Sequence, residues 1–227
     1  MSTALSRTPH LENGDRLTKQ EFLLRWAASP EIKHAELLEG IVYVNAAAIR
    51  ARSHGLPHYL MASWLGAYRR ATPSVLVILP STIELSEQDL PEPDVMMIID
   101  HPAYGATSFD EDDWLYGPAE LVVEISASTA SKDLNLKRRV YEKAGVKEYI
   151  VWRTIETGLD WFVLSESGTY EKMSVDSADG FYKSQVYPGL WLDPEVLFSQ
   201  NETLLIERLQ EGIKTPEHAS FVSKLKR

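Results

Sequence analysis

GPAELVVEISASTASKDLNLKRRVYEKAGVKEYIVWR, residues 117–153, carries the reading from which the fold follows. LVVEIS (121–126) is a short apolar run that ends in polar residues, the pattern of a strand buried in the middle of a sheet. The stretch 131–144 then reads as a helix, and Gly145 stands where a helix closes on a left-handed C′ residue. KEYIVWR (147–153) returns to β-rich composition. Strand, helix and strand within 37 residues predict an α/β fold.

The same pattern extends in both directions. Upstream, VLVILP (75–80), STIEL (81–85) and PDVMMIID (93–100) are three further strand candidates. Residues 56–70 repeat Leu60, Trp64, Ala67 and Tyr68 at helical spacing, with Pro57 in the first turn. HAELLEGIVYVN (34–45) reads as a hairpin turning at Glu39-Gly40. Thr18 and Glu21 have capping-box spacing ahead of Phe22, Leu23 and Trp26. Residues 1–17 are polar and expected to be a flexible segment before a domain at 18–200. FDEDDWLYGP (109–118) is expected to be a surface loop. Downstream, LDWFVL, TYEKMSV and FYKSQV suggest a meander or two hairpins, and 201–227 a C-terminal helix or tail with a loose basic end.

The composition narrows the chemistry. The 227 residues contain no cysteine, so disulfides, zinc–thiolate sites and a cysteine nucleophile are excluded. The absence fits a reducing, cytoplasmic setting, and no apolar run reaches the roughly 18 residues of a membrane span. A formal net charge of −10 argues against a nonspecific DNA-coating protein. It leaves room for a local basic site, because charges are screened beyond about 8 Å at cell salt.

Two carboxylates stand where charge is costly. Glu124 follows Leu121, Val122 and Val123 in the central strand, and Asp94 adjoins the apolar run 95–99. A buried charge persists when it is paired or metal-bound. Lys137 lies in the following helix, four residues after Asp133 and four before Tyr141, so the three share a face. Two carboxylates on neighbouring strands can hold Mg²⁺ (or Mn²⁺), and a lysine beside them can offset charge that builds on a phosphoryl group. The expectation is geometric: the strands at 93–100 and 121–126 must be neighbours, and Asp94, Glu124 and Lys137 must open into one cavity. Glu36 is expected at its rim, with His54, Asp133 and Tyr141 as further rim candidates. Lys137-Arg138-Arg139 reads as phosphate contacts or as a solvated helix face. Ser126 and Ser128 read as loop and helix-entry residues, and the tryptophans as core anchors.

ELLEGIVYV (36–44), His54, PEPDVMMI (91–98), GPAELVVEISAST (117–129), KDLNLKRRVYEKAGVKEYIVW (132–152) and PGLWLDPEVLF (188–198) together resemble the Uma-two family, a branch of the restriction-endonuclease-like PD-(D/E)xK superfamily. The resemblance implies a mixed β-sheet flanked by helices. It implies Asp94 and Glu124 as metal ligands, Lys137 as the lysine of the site, and Glu36 as a further acidic residue nearby. The superfamily's usual lysine would stand at position 126, where this chain has Ser126, so the helix must supply it. The implied function is a metal-dependent DNA endonuclease, working as a homodimer because two strands need two sites. The rival readings are a non-catalytic binding module on the same fold and a hydrolase of small phosphodiesters.

Overall fold

The structure is a computed structural model, and it describes residues 8–45 and 49–226. Helix α1 (Lys19–Ala27) starts at Thr18, whose hydroxyl accepts from the Glu21 N–H as the capping box requires. The hairpin β1 (Ala35–Leu38) and β2 (Ile41–Val44) turns through Glu39 and Gly40, both in left-handed conformation. A π-helical turn, Ala51–Gly55, runs directly into α2 (Leu56–Ala71). Then come β3 (Val75–Ile78), β4 (Ile83–Glu84), β5 (Val95–Ile99), β6 (Ser108–Phe109), β7 (Leu115–Tyr116) and β8 (Leu121–Ser126). A second π-helical turn, Lys132–Lys137, opens α3 (Arg138–Ala144), which ends on Gly145 at φ 90°. The chain continues as β9 (Glu148–Arg153), β10 (Gly158–Leu164), β11 (Tyr170–Lys172), β12 (Tyr182–Lys183), β13 (Trp191–Leu192), α4 (Pro194–Phe198), α5 (Glu202–Ile213) and α6 (Pro216–Leu225).

Six strands form the central sheet in the order β11-β10-β9-β8-β5-β3. Only β8 and β9 pair in parallel; the other pairs are antiparallel. The expected mixed sheet flanked by helices is therefore present. Because side chains alternate across a strand, the sheet has two apolar faces. Val95, Val123 and Ile125 pack toward α2 and the C-terminal helices with Trp64, Tyr68 and Leu205. Met96, Ile98, Val122 and Val151 pack the other way, with Tyr141 and Tyr149. A third cluster joins α1 to the hairpin through Phe22, Leu37 and Val42.

The structure departs from the sequence-based expectation in four places. Residues 8–17 do not fray along their length: Leu11 is buried, and Gly14 N–H donates to the Val42 carbonyl at 2.8 Å. The helix expected from 131 begins as a π-turn. The acidic stretch at 109–118 takes in β7 and the end of β6, and β7 pairs with both β4 and β6 in a small three-stranded sheet. The C-terminal segment is two helices, divided where Thr215 caps α6 and Pro216 begins it. Among the described residues no helix is long and apolar enough to cross a membrane.

Candidate active site

β5 and β8 pair with Val95 opposite Val123 and Met96 opposite Val122. One step further along that register, Asp94 stands opposite Glu124. Residues directly opposite in an antiparallel pair share a face, so both carboxylates lie on the face that carries Met96 and Val122. Asp94 is fixed from three sides. Its Oδ2 accepts the Ile125 N–H at 2.7 Å, and its Oδ1 lies 3.3 Å from His54 Nε2. His58, one helical turn after His54, donates to the Asp94 backbone carbonyl at 2.9 Å. The first π-turn thus holds this carboxylate and α2 its backbone.

Lys137 reaches back from the second π-turn onto Glu124. Its Nζ lies 2.8 Å from Glu124 Oε1, 2.6 Å from Glu36 Oε1 and 3.5 Å from the Glu92 carbonyl. Tyr141 donates to the same Glu124 Oε1 at 2.9 Å. Glu124 Oε2 takes no hydrogen bond from the described residues. Asp133 is buried, and its Oδ2 accepts the hydroxyls of Ser126 and Thr129. Ser126, at the end of β8, thus orients an aspartate.

A cavity of about 850 Å³ lies over this cluster, and Asp94, Glu124, Lys137, Asp133 and His54 all line it. The expected convergence of the first three is met. Two expectations need correcting. Glu36 is not at the rim: it is fully buried beneath the lysines and does not line the cavity. The hairpin carries it inward as the partner of Lys137 and Lys132, and its Oε1 also takes the Glu92 N–H. Tyr141 is likewise fully buried, because its ring packs at 4.9 Å from Tyr149 while only its hydroxyl reaches Glu124. The Lys137-Arg138-Arg139 run does not act as one unit. Lys137 turns inward, Arg138 lies over the Phe162 ring, and Arg139 pairs with Glu39 at the surface. Lys132, Glu92 and His58 belong to the site and were not singled out from the sequence. Lys132 was hidden because helical periodicity puts it on a different side from Lys137.

Five carboxylates gather here against two lysines. Burial, reinforced by the charges of Asp94, Asp133 and Glu36, pushes the Glu124 carboxyl well above its ordinary value despite the opposing pull of Lys137. Burial likewise raises Glu92. Glu36 goes the other way: burial alone would raise it, but the Lys137 and Lys132 charges hold it down to about 2. Burial opposes charge on Lys137, yet Glu124, Glu36 and Asp133 keep it firmly protonated. The hydrogen bond to Asp94 raises His54. A site with this excess of negative charge is suited to a cation. Among the described residues no group of three or more His, Asp or Glu is placed to hold a metal ion. Asp94 and Glu124 are the two cavity-lining carboxylates that could take part in holding a divalent cation, with waters completing its shell.

The comparisons agree with this architecture. A sequence-family model described as "Uma2: Putative restriction endonuclease" matches residues 20–195. A crystal structure titled as a putative nuclease belonging to DUF820 from Anabaena variabilis superposes with a TM-score of 0.58 at 15% identity, over 81% of this chain and 98% of that one. At that identity the likeness concerns the fold. No curated protein matches the chain.

Proposed function

Because the chain belongs to the Uma2 family, we propose that it is a metal-dependent endonuclease that hydrolyses phosphodiester bonds in DNA. One observation carries the reading: Asp94 and Glu124 face each other across β5 and β8 with Lys137 on Glu124, at the floor of an open cavity. Asp94 and Glu124 would hold Mg²⁺ or Mn²⁺. When bound, the ion polarises a phosphoryl oxygen and lowers the pKa of water beside it.

The chain's own groups do the rest. The Ile125 N–H and His54 orient Asp94, and Tyr141 and Lys137 orient Glu124, so neither carboxylate needs to reorganise during the reaction. Lys137 is held charged next to the place where a scissile phosphate would sit, and it offsets the charge that grows there. Cutting both strands of a duplex takes two such sites, so the reading includes a homodimer. The net charge of −10 favours a second reading, a hydrolase of small phosphodiesters. A substrate panel at low and high salt separates the two, because polyanion binding falls steeply with salt.

The direct test is plasmid cleavage with Mg²⁺, Mn²⁺ or EDTA, using wild type and Asp94→Asn. Nicking that needs the ion and disappears in the variant supports the reading. Cleavage that persists in EDTA, or unchanged in Asp94→Asn, refutes it.

A further inference from the structure

Two lysines converge on one buried carboxylate. Lys137 Nζ lies 2.6 Å from Glu36 Oε1 and Lys132 Nζ lies 2.8 Å from Glu36 Oε2, so each carboxylate oxygen seats one ammonium. In an α-helix, residues five apart point about 140° away from each other. The turn at Lys132–Lys137 is π-helical, and its i→i+5 bonding brings residues five apart close to the same side. The unusual turn is therefore what lets both lysines reach Glu36.

The two ammonium groups are not equivalent. A lysine has three donors. Lys137 faces three oxygens, those of Glu36, Glu124 and Glu92, and its side chain is only 4% exposed. Lys132 has one oxygen partner, Glu36, among the described residues. Its side chain is 21% exposed and lines the same cavity as Asp94 and Glu124. Its ammonium also lies over the Tyr43 ring, 5.8 Å from the centroid, which fixes its direction further. Among the described residues it is a cation with unused donors, held in place by a buried anion at the wall of the cavity. Such a group binds a phosphate oxygen without first having to be ordered.

We propose that Lys132, seated on Glu36, is a binding residue for a backbone phosphate of the substrate, next to the phosphate that is cleaved. The proposal rests on the nuclease reading above and adds a specific anion contact to it. Lys137 keeps its donors on the floor of the site and acts at the cleaved phosphate through its charge, while Lys132 offers donors to the ligand.

The test is equilibrium binding of a fluorescein-labelled 20-mer DNA duplex to the full chain, with Ca²⁺ in place of Mg²⁺, over a series of KCl concentrations. One lost phosphate contact reduces the slope of log K against log salt by about 0.9. Lys132→Ala should show that reduction and bind about tenfold more weakly at moderate salt, the effect of one charge-assisted hydrogen bond. Lys132→Arg should restore the slope, since the guanidinium also donates to phosphate. Lys143→Ala, at an exposed position on α3 outside the cavity, removes the same net charge and should leave the slope near wild type. A wild-type slope in Lys132→Ala overturns this proposal alone, as does an equal reduction in Lys143→Ala. If wild type binds no DNA at any salt, the nuclease reading falls and this proposal with it.

Discussion

Glu148, at the start of β9, is fully buried and carries no ion pair among the described residues. Its Oε1 accepts the Gln185 and Val186 N–H groups at 2.6 and 3.3 Å, and its Oε2 accepts the Ser184 hydroxyl at 2.8 Å. Burial pushes the carboxyl up to about 7 against the pull of these donors. The folded state therefore holds a proton that the unfolded chain, titrating near 4.5, has already released. Below pH 4.5 both states are protonated and the penalty is absent. As pH rises toward 7 the folded state becomes progressively less stable, and above 7 the full penalty applies. At about 1.4 kcal/mol per pH unit the loss totals about 3 kcal/mol. Glu148→Gln cannot titrate, so its stability should lack this slope. Urea unfolding of both proteins at pH 5, 6, 7 and 8 isolates the effect, since every other titrating group is common to them. The gap between the curves should move in favour of the variant by about 2 to 3 kcal/mol from pH 5 to 8. Any constant cost of re-pairing Ser184 cancels in that difference. Parallel curves would show that the three donors outweigh burial, and the reasoning would be wrong.

Lys137→Met should lower stability by roughly 3 to 5 kcal/mol, because Glu36 and Glu124 lose a buried counter-charge; thermal unfolding should read this as a fall of roughly 10 °C. In cleavage assays with any folded Lys137 variant, the rate should fall more than DNA affinity, as expected for a group that acts on transition-state charge. Calorimetry should detect Mg²⁺ or Mn²⁺ binding to wild type and none to Glu124→Ala; no heat at millimolar ion in wild type removes the metal site. Gly212→Ala should cost about 1 to 3 kcal/mol, since a Cβ there would meet the Gly189 carbonyl oxygen and come within 2.7 Å of the Trp191 ring; an unchanged melting temperature would show that the contact relaxes freely.

The parts of the site that could be read from the sequence are those where polarity contradicts its surroundings. Glu124 inside LVVEIS and Asp94 before VMMII stand out because a strand buried on both faces otherwise carries no charge. Lys137 stands out through the helix face it shares with Asp133 and Tyr141, and through the family resemblance. Glu36 was visible as an acid in a hairpin, but the hairpin's packing against the sheet, which decides between rim and interior, depends on contacts 56 and 96 residues away, to Glu92 and Lys132. Lys132 was not visible, because an α-helical wheel turns it away from Lys137 and nothing in the side-chain pattern announces a π-turn. Residues 8–17 show the same limit. Leu11 and Leu17 are isolated apolar residues among polar ones, and the segment is also held by backbone bonds to the hairpin, which leave no trace in composition. The break between α5 and α6 did have a signal in Thr215-Pro216, a cap followed by a helix-starting proline.

The C-terminal helices have a practical consequence for anyone trimming this chain. The family match ends at residue 195, but Leu205, Leu209 and Leu225 belong to the same apolar cluster as Trp64, Val95 and Val123. His218 contacts the Thr72 hydroxyl at 2.9 Å, and the backbones of Gly189 and Gly212 come close enough to leave no room for a side chain. A fragment cut at the family boundary would therefore lose the cover over the outer side of α2 and over β13. It would carry an exposed oily surface beside α2, and in an expression host such a surface is a route to inclusion bodies and proteolysis rather than to a smaller working protein.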